Sequence, residues 1–294
     1  MWLGAHVSIS GSLDLAVDRA VAIGCECLQI FYGSPRQWRE TAHSDQVLDR
    51  FIEKRRAAHL DPLVAHAAYL VNLATPNRVY RVKSIASLLA TLRGVERLDG
   101  LGAITHLGSR MGAPRRAAVR RVAAAVRQVL AQTSRAMILL ENSAGAGGHV
   151  GADFEDLAEV LFQVGDPRAG ICLDTAHLYA AGWDLRTRDG VDTVVRAFDR
   201  VVGWDHVRVI HLNDSKGALG SHLDRHENIG EGWIGPDGFR AFMAHPRVRA
   251  LPGLIETPGF NKKGPDRKNL ARLKRLRGAH ARHHHQSARR MNPR

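Results

Sequence analysis

The chain has 294 residues, 45% of them hydrophobic, and a formal net charge of +13. That length suits one α/β barrel of ~250 residues with an appendage, and no stretch approaches the ~18 consecutive apolar residues of a membrane span. From Asn261 to Arg294 four lysines and eight arginines face the single Asp266, which leaves only +2 for the other 260 residues; basicity describes the tail and does not mark the body as a nucleic-acid binder.

Met1 leads directly into the strand-like Trp2-Leu3-Gly4-Ala5-His6-Val7, with no charged segment followed by an apolar one, so a cytoplasmic protein without membrane association is expected. An amphipathic segment at 12–23 precedes a second β-like run at 27–32. Cys25 and Cys27 there, with Cys172, make an odd count without a C-x-x-C pattern, as expected of buried thiols. The alternation continues with a helix over 44–58, opened by Ser44, and a strand over 62–66 ending in His66. Next come a helix over 79–97, a strand over 103–107 containing His106, a helix over 115–132 and a strand over 137–141 ending in Glu141. A helix over 153–164, opened by Asp153, precedes a strand over 170–174 ending in Asp174. A helix over 189–202 and a strand over 207–212 containing His211 follow. A polar, Gly-rich excursion over 213–238 interrupts the pattern, and a loop of that length inside a compact domain is usually functional. The last strand, 253–256, ends in Glu256; Leu270–Leu276 reads as helical, and 278–294 as a disordered basic tail.

Eight strands with intervening helices predict an α/β fold, a (β/α)8 TIM barrel over 1–277 with the basic C-terminal tail at 278–294. No G-x-G-x-x-G follows the first strand, which argues against a dinucleotide crevice. In such a barrel the carboxyl ends of all strands converge on one rim, so His66, His106, Glu141, Asp174, His211 and Glu256 become neighbours. Asp174 and His177 form D-x-x-H, and Asp224 and His226 form D-x-H in the excursion. These nine candidate metal ligands mix imidazole and carboxylate, which suits zinc or manganese better than magnesium or calcium. With one bridging carboxylate they fit three ions, an arrangement suited to an oxygen-rich substrate, above all a phosphodiester.

Several segments carry a more specific signal: Gly4-Ala5-His6-Val7-Ser8, Ala65-His66 with Tyr69-Leu70-Val71-Asn72-Leu73, Leu140-Glu141-Asn142-Ser143-Ala144-Gly145, Cys172-Leu173-Asp174-Thr175-Ala176-His177, His211-Leu212-Asn213-Asp214-Ser215-Lys216, Asp224-Arg225-His226 with Gly230-Glu231-Gly232, and Ile255-Glu256-Thr257. In this order the chain resembles the endonuclease IV family, apurinic/apyrimidinic endonucleases built on a TIM barrel with three zinc ions. The resemblance implies one zinc on His66, His106 and Glu141, a second on Glu141, Asp174, His211 and Glu256, and a third on His177, Asp224 and His226, with manganese an alternative at one site. It implies cleavage of double-stranded DNA on the 5′ side of an abasic site and trimming of blocked 3′ ends, by a monomer, with Glu141 and Glu256 as catalytic residues. It further implies that Arg36, Gln37 and Trp38, together with Tyr69 and Leu70, wedge into the duplex. An abasic nucleotide has no base to unstack, so its extrusion costs less than flipping a normal one. His6 is read as support for the ligands.

Two departures from the family pattern stand out. Many relatives have a proline and a second histidine after the fourth-strand ligand, where this chain has His106-Leu107-Gly108-Ser109-Arg110, and Ala67 and Ala68 replace polar residues. All nine ligands survive these changes, which bear on loop shape and DNA contact. Two other functions compete. A sugar isomerase or epimerase of the same barrel superfamily would need only Glu141, Asp174, His211 and Glu256 for one divalent ion, leaving five ligands without a purpose. A non-catalytic nucleic-acid-binding protein using the basic tail would show lost ligands, and none is lost. For the tail itself, a solvated arm and a DNA- or RNA-tethering arm are both open, and His283-His284-His285 offers an opportunistic metal-binding tract.

Overall fold

A computed structural model describes residues 1–290, with side chains for 1–278. The barrel strands are β1 (Leu3–Val7), β2 (Leu28–Phe31), β3 (Leu63–His66), β4 (Gly102–His106), β5 (Met137–Glu141), β6 (Ala169–Asp174), β7 (Val207–His211) and, after the short hairpin β8 (Asp214–Ser215) and β9 (His226–Glu227), β10 (Gly253–Ile255). The eight barrel strands are all parallel and close in the order β1-β10-β7-β6-β5-β4-β3-β2. Closure is made by β1, whose Ala5 lies opposite Leu28 of β2 and Ile255 of β10. The expected architecture and all eight of its strands are present.

A strand repeats every two residues, so positions i and i+2 share a face. Cys27, Val64, Ile104, Leu139, Cys172, Val209 and Leu254 form one fully enclosed apolar cluster in the barrel interior. Two residues further along each of these strands stand Gln29, His66, His106, Glu141, Asp174, His211 and Glu256. On β1 the corresponding pair is Gly4 and His6; Gly4 is required because a Cβ there would fall 2.0 Å from the Cys27 carbonyl oxygen. The barrel thus stacks a polar set directly on an apolar plug, and the alternation of the strands aims every member of that set into the mouth. All three cysteines are free, and burial pushes the Cys25 and Cys172 thiols up to about 12, consistent with inert packing residues.

Around the strands run α1 (Leu15–Ile23), α2 (Asp45–Ala57), α3 (Arg78–Arg97), α4 (Arg115–Leu130), α5 (Phe154–Val164), α6 (Thr175–Ala180), α7 (Arg188–Val201), α8 (Gly235–Ala244) and α9 (Arg267–Arg290). In α7 the buried residues Val191, Val194, Val195 and Phe198 follow the i, i+3, i+4, i+7 spacing of a helix with one apolar face. The starts at Ser44 and Asp153 are real, but neither side chain caps its helix; Asp153 faces Arg115 of α4 at 3.2 Å instead. Asn77 and Thr187 are the side chains that cap α3 and α7.

Three elements differ from expectation. α6 has six residues, too few to show a period, and α8 begins with Gly235-Pro236, a pair that reads as a turn although proline fits a first helical turn. The excursion over 213–238 is therefore a hairpin, a loop and the start of a helix. Regular structure was expected to stop near Gly278, yet α9 continues to Arg290; with no proline before 293 and a single glycine, about 1 kcal/mol against helix, nothing in the sequence breaks it. Residues 291–294 of the expected tail lie outside the described residues.

Candidate metal centre

Glu141 is the hub of the mouth. Its Oε2 lies 3.2 Å from His66 Nε2 and 3.5 Å from His106 Nε2, and its Oε1 lies 3.0 Å from His211 Nδ1 and 3.4 Å from His177 Nδ1. Three groups of donor atoms are close enough to share an ion: His66 with His106 and Glu141; Glu141 with Asp174, His211 and Glu256; and Asp174 with His177 and His226. Asp224 stands just outside the last group on a more exposed loop, its Oδ1 3.0 Å from His177 Nε2 and 3.7 Å from His226 Nε2. All nine ligands expected from the sequence therefore converge on one cluster.

Hydrogen bonds to the far side of the rings set which nitrogen faces the cluster. His66 Nδ1 donates to the Ala67 carbonyl (2.7 Å) and His177 Nδ1 to that of Asn142 (2.9 Å), which turns each Nε2 lone pair inward. His211 uses the opposite tautomer: Nε2 donates to Gln29 Oε1 at 2.8 Å, leaving Nδ1 for the carboxylates. The buried Nε2 atom of His226 has no hydrogen-bond partner. An unsatisfied buried polar atom costs about 1–3 kcal/mol, and imidazole lone pairs aimed at carboxylates are satisfied together by a cation. This donor set fits divalent metal ions of the zinc type.

Charge explains how so many carboxylates share one buried site. Burial alone would raise the Glu141 carboxyl, but His106 and His211 hold it well below the ordinary range. Glu256 is likewise kept low against burial by His211, and Asp224 by His177. In return, and against burial, His177 is raised by Asp174 and Asp224, His211 by Cys172, Glu256 and Glu141, and His66 by Glu141. His6 and His106 go down because burial wins. Imidazoles and carboxylates thus stabilise one another's charged forms within the mouth.

Several positioning residues were not foreseen. Buried Gln29 donates from Nε2 to Glu256 Oε1 (2.6 Å) and to His6 Nδ1 (2.8 Å) while accepting from His211, so one amide fixes three mouth residues. Asn213 Nδ2 donates to Asp174 Oδ2 at 2.7 Å, and its Oδ1 accepts the Glu256 backbone N–H at 2.7 Å. Asn142 Oδ1 accepts the Asp174 N–H at 2.7 Å. The signal that finds Gln29 is the two-residue register with Cys27, a position equivalent to every strand-borne ligand. His6, 3.3 Å from Glu256 Oε1, takes the supporting place expected of it.

The loop that carries Asp224 and His226 is pinned by Asp214, whose carboxylate accepts backbone N–H groups of Gly230, Gly232 and Ile234 at 2.8, 3.1 and 3.0 Å. Gly232 is required there, since a Cβ would meet Asp214 Oδ1 at 2.5 Å, and Gly230 has a φ of +80°. Asp214→Asn keeps the shape but turns an acceptor into a donor facing N–H groups. We expect it to cost about 2–4 kcal/mol in urea unfolding; a loss below about 0.5 kcal/mol would show that the loop holds itself.

Residues expected to touch DNA lie beside the mouth. Arg36 and Gln37 are exposed and Trp38 half-buried after β2, while Tyr69 and Leu70 after β3 are 64% and 37% exposed. The two loops are joined by the Tyr69 N–H to Pro35 carbonyl bond (3.1 Å), and the Tyr69 ring stands edge-on to Phe31 at 5.1 Å. A cavity of about 420 Å³ opens between Tyr69, Phe31, His106, Asp224 and Glu256. Of the departures, Leu107 is buried, and Ser109 and Arg110 join the loop after β5, Ser109 bridging to His149 and the Arg110 N–H bonding the Gly148 carbonyl at 3.1 Å. The altered loop is tied down, and His106 stays in the cluster.

Comparison with known proteins agrees with this geometry. The family model described as a xylose isomerase-like TIM barrel matches residues 17–276. A probable endonuclease 4 of Methanoculleus marisnigri is 42% identical over 280 residues, 94% of this chain and 99% of that protein. Another, of Halothermothrix orenii, is 40% identical over 268 residues, 90% of this chain and 96% of the relative. Among solved structures, endonuclease IV from Thermus thermophilus superposes with a TM-score of 0.81 at 37% identity, covering 95% of this chain and 98% of that one. A D-tagatose 3-epimerase-like protein, TM-score 0.73 at 17% identity over 98% of this chain and all of the other, shares the barrel alone. Identity at this level along nearly the whole length, on a barrel whose mouth gathers all nine candidate ligand residues, places the chain in the endonuclease IV family.

Proposed function

We propose that the chain is an apurinic/apyrimidinic endonuclease that hydrolyses the phosphodiester 5′ of abasic sites and trims blocked 3′ ends in double-stranded DNA. It works in the cytoplasm as a monomer, with zinc in three sites. The observation that supports this most is the surplus of ligands around Glu141: an isomerase-type site needs four of the nine, and His66, His106, His177, Asp224 and His226 crowd the same mouth.

His66, His106 and Glu141 would hold one ion; Glu141, Asp174, His211 and Glu256 a second; His177, Asp224 and His226 a third, with Asp174 close to the last pair. Bound there, the ions would lower the pKa of water and offset the charge of the phosphate and of the leaving 3′-oxygen. Glu141 fixes the spacing between groups by offering one oxygen to each side. Glu256 has a side chain 17% exposed against 1% for Glu141, so it is the strand-borne carboxylate that reaches the cavity and orients the attacking water. Gln29 and His6 stop its carboxylate from rotating. The loops of Arg36–Trp38 and of Tyr69–Leu70 flank the cavity, where they fill the stack vacated by the extruded sugar.

Incision of a duplex carrying one tetrahydrofuran abasic analogue, with metal content measured on the same preparation, tests the reading. A 5′-side cut with about three zinc per chain is expected. No cut with one metal per chain would return the protein to the epimerase branch. Tyr69→Ala should leave metal content and thermal midpoint unchanged, because the ring is mostly exposed, while weakening abasic-DNA binding roughly tenfold through lost stacking. Unaltered binding would remove Tyr69 from the wedge.

A further inference from the structure

The net charge of +2 over residues 1–260 conceals one lopsided sector. Residues 67–140, from the first past His66 to the last before Glu141, hold eleven arginines and one lysine against two carboxylates, Glu96 and Asp99. Both carboxylates lie at the end of the barrel away from the ligands. There Glu96 accepts the Ser134 and Arg135 N–H groups at 2.9 and 2.6 Å, and Asp99 pairs with Arg56 and Arg135 at 3.3 and 3.4 Å. The first turns of α3 and α4, which start at the mouth, therefore carry cations and no carboxylate of their own.

Four of these arginines stand together. Arg121 Nε donates to the Ala74 carbonyl at 2.8 Å and Arg81 Nη1 to the Thr75 carbonyl at 2.9 Å, so adjacent peptide groups hold the two heads side by side. Arg78 precedes Arg81 by three residues on the same side of α3, and Arg120 adjoins Arg121 on α4; both are exposed. Arg121 Nη2 is buried with no acceptor among the described residues. Burial, and then the like charges of Arg81 and Arg120, push this guanidinium below its ordinary value. Neighbouring Arg115 differs, being held by Asp156 and Asp153 at 2.6 and 3.2 Å. Glu155 and Glu159 border the patch across the groove between α4 and α5 and form no ion pair with Arg120 among the described residues.

Like charges braced on one loop and left uncompensated by the fold suit a polyanion whose phosphates accept from several guanidinium groups. We propose that Arg78, Arg81, Arg120 and Arg121 form a shoulder that grips the phosphodiester backbone of the duplex on one side of the lesion, where it leaves the mouth. The partner follows from continuity. The loop that carries Tyr69 and Leu70 reaches the carbonyls of Ala74 and Thr75 within five residues, so a duplex wedged at Tyr69 passes over the shoulder; in this the inference rests on the reading of the mouth as a DNA site. Phosphate contacts position a duplex and carry no sequence information, so the shoulder adds affinity without base preference.

The test compares the full metal-loaded chain with the double variant Arg78→Gln, Arg120→Gln, which spares Arg81 and Arg121 because their carbonyl bonds shape the loop. Substrates carry one abasic analogue with long flanks, or with one flank cut to about three base pairs, ~10 Å of helix. Shortening one particular flank should raise the parent's KM and leave its kcat unchanged. The variant should ignore that cut and match the parent on the shortened substrate. Each lost phosphate contact lowers the salt slope by about 0.9, so between 50 and 200 mM salt the parent's KM on the long substrate should rise about tenfold more than the variant's. Equal salt dependence on the long substrate would overturn the proposal, as would a parent indifferent to both cuts. A variant equally impaired on long and shortened substrates would also overturn it, since the arginines would then act through loop shape. If neither protein cleaves, the reading of the mouth fails, and fluorescence anisotropy of a long undamaged duplex still decides the shoulder: a lower salt slope in the variant upholds it and equal slopes sink it.

Discussion

Glu141→Gln is expected to lower incision by at least about a thousandfold and to leave the barrel folded. The substitution keeps size and hydrogen-bonding shape but removes a full negative charge from the point where four imidazoles meet at 3.0–3.5 Å. Metal stabilisation of a transition state is worth several kcal/mol, and each 1.4 kcal/mol is tenfold in rate. Because Glu141 would serve two ions at once, its loss is felt by both, and metal content should fall together with rate. The fold survives because the apolar plug beneath, Val64 through Leu254, is untouched. The check is steady-state incision of the abasic analogue, metal content and circular dichroism on the same sample. Activity within tenfold of the parent would remove Glu141 as the shared ligand.

Stripping the metal should change how stability depends on pH. In the metal-free protein Glu141, Glu256 and Asp224 are held below their ordinary values. Their contribution is present above the unfolded carboxylate pKa of about 4 and is lost as pH falls through the folded values. His66, His177 and His211 are raised, so theirs is present below about 6.5 and is lost as pH rises through the folded values. The metal-free chain is therefore most stable between about pH 4.5 and 6.5, with His6 and His106, which shift down, blunting the optimum on its acid side. Metal binds the deprotonated ligands, so its affinity rises over the range where the metal-free form weakens. At a thousandfold excess over Kd one site contributes about 4 kcal/mol, on the order of ten degrees in Tm for a chain of this size. Calorimetry with and without chelator across pH 5–9 should show the gap widening with pH. Equal midpoints at pH 8 would contradict a metal-filled mouth.

The fold was legible because barrel strands buried on both faces read as short apolar runs, and each ends at the level where a ligand is needed. Val64 before His66 and Leu139 before Glu141 carry the same two-residue register that the structure displays. Gln29, Asn142 and Asn213 escaped for a physical reason: an amide is unremarkable at a strand end, and only burial reveals that each of its atoms is committed to a partner. α6 was too short to announce itself, and the glycine and proline that open α8 imitate a turn. The loops beside the mouth carry no periodic signal; Tyr69 and Trp38 were read from the family resemblance, and the exposure of Tyr69 beside the cavity is what the structure adds.

The mouth joins the first and last strands of the barrel: Glu256, just after β10, is held by His6 of β1 and Gln29 of β2. A ribosome releases these residues in order, so a nascent chain carries His66, His106 and Glu141 long before Glu256 emerges. Until the last strand slots between β1 and β7 the barrel is open and the four-residue group cannot assemble. A nuclease built this way becomes competent only after its last barrel strand has been made and docked.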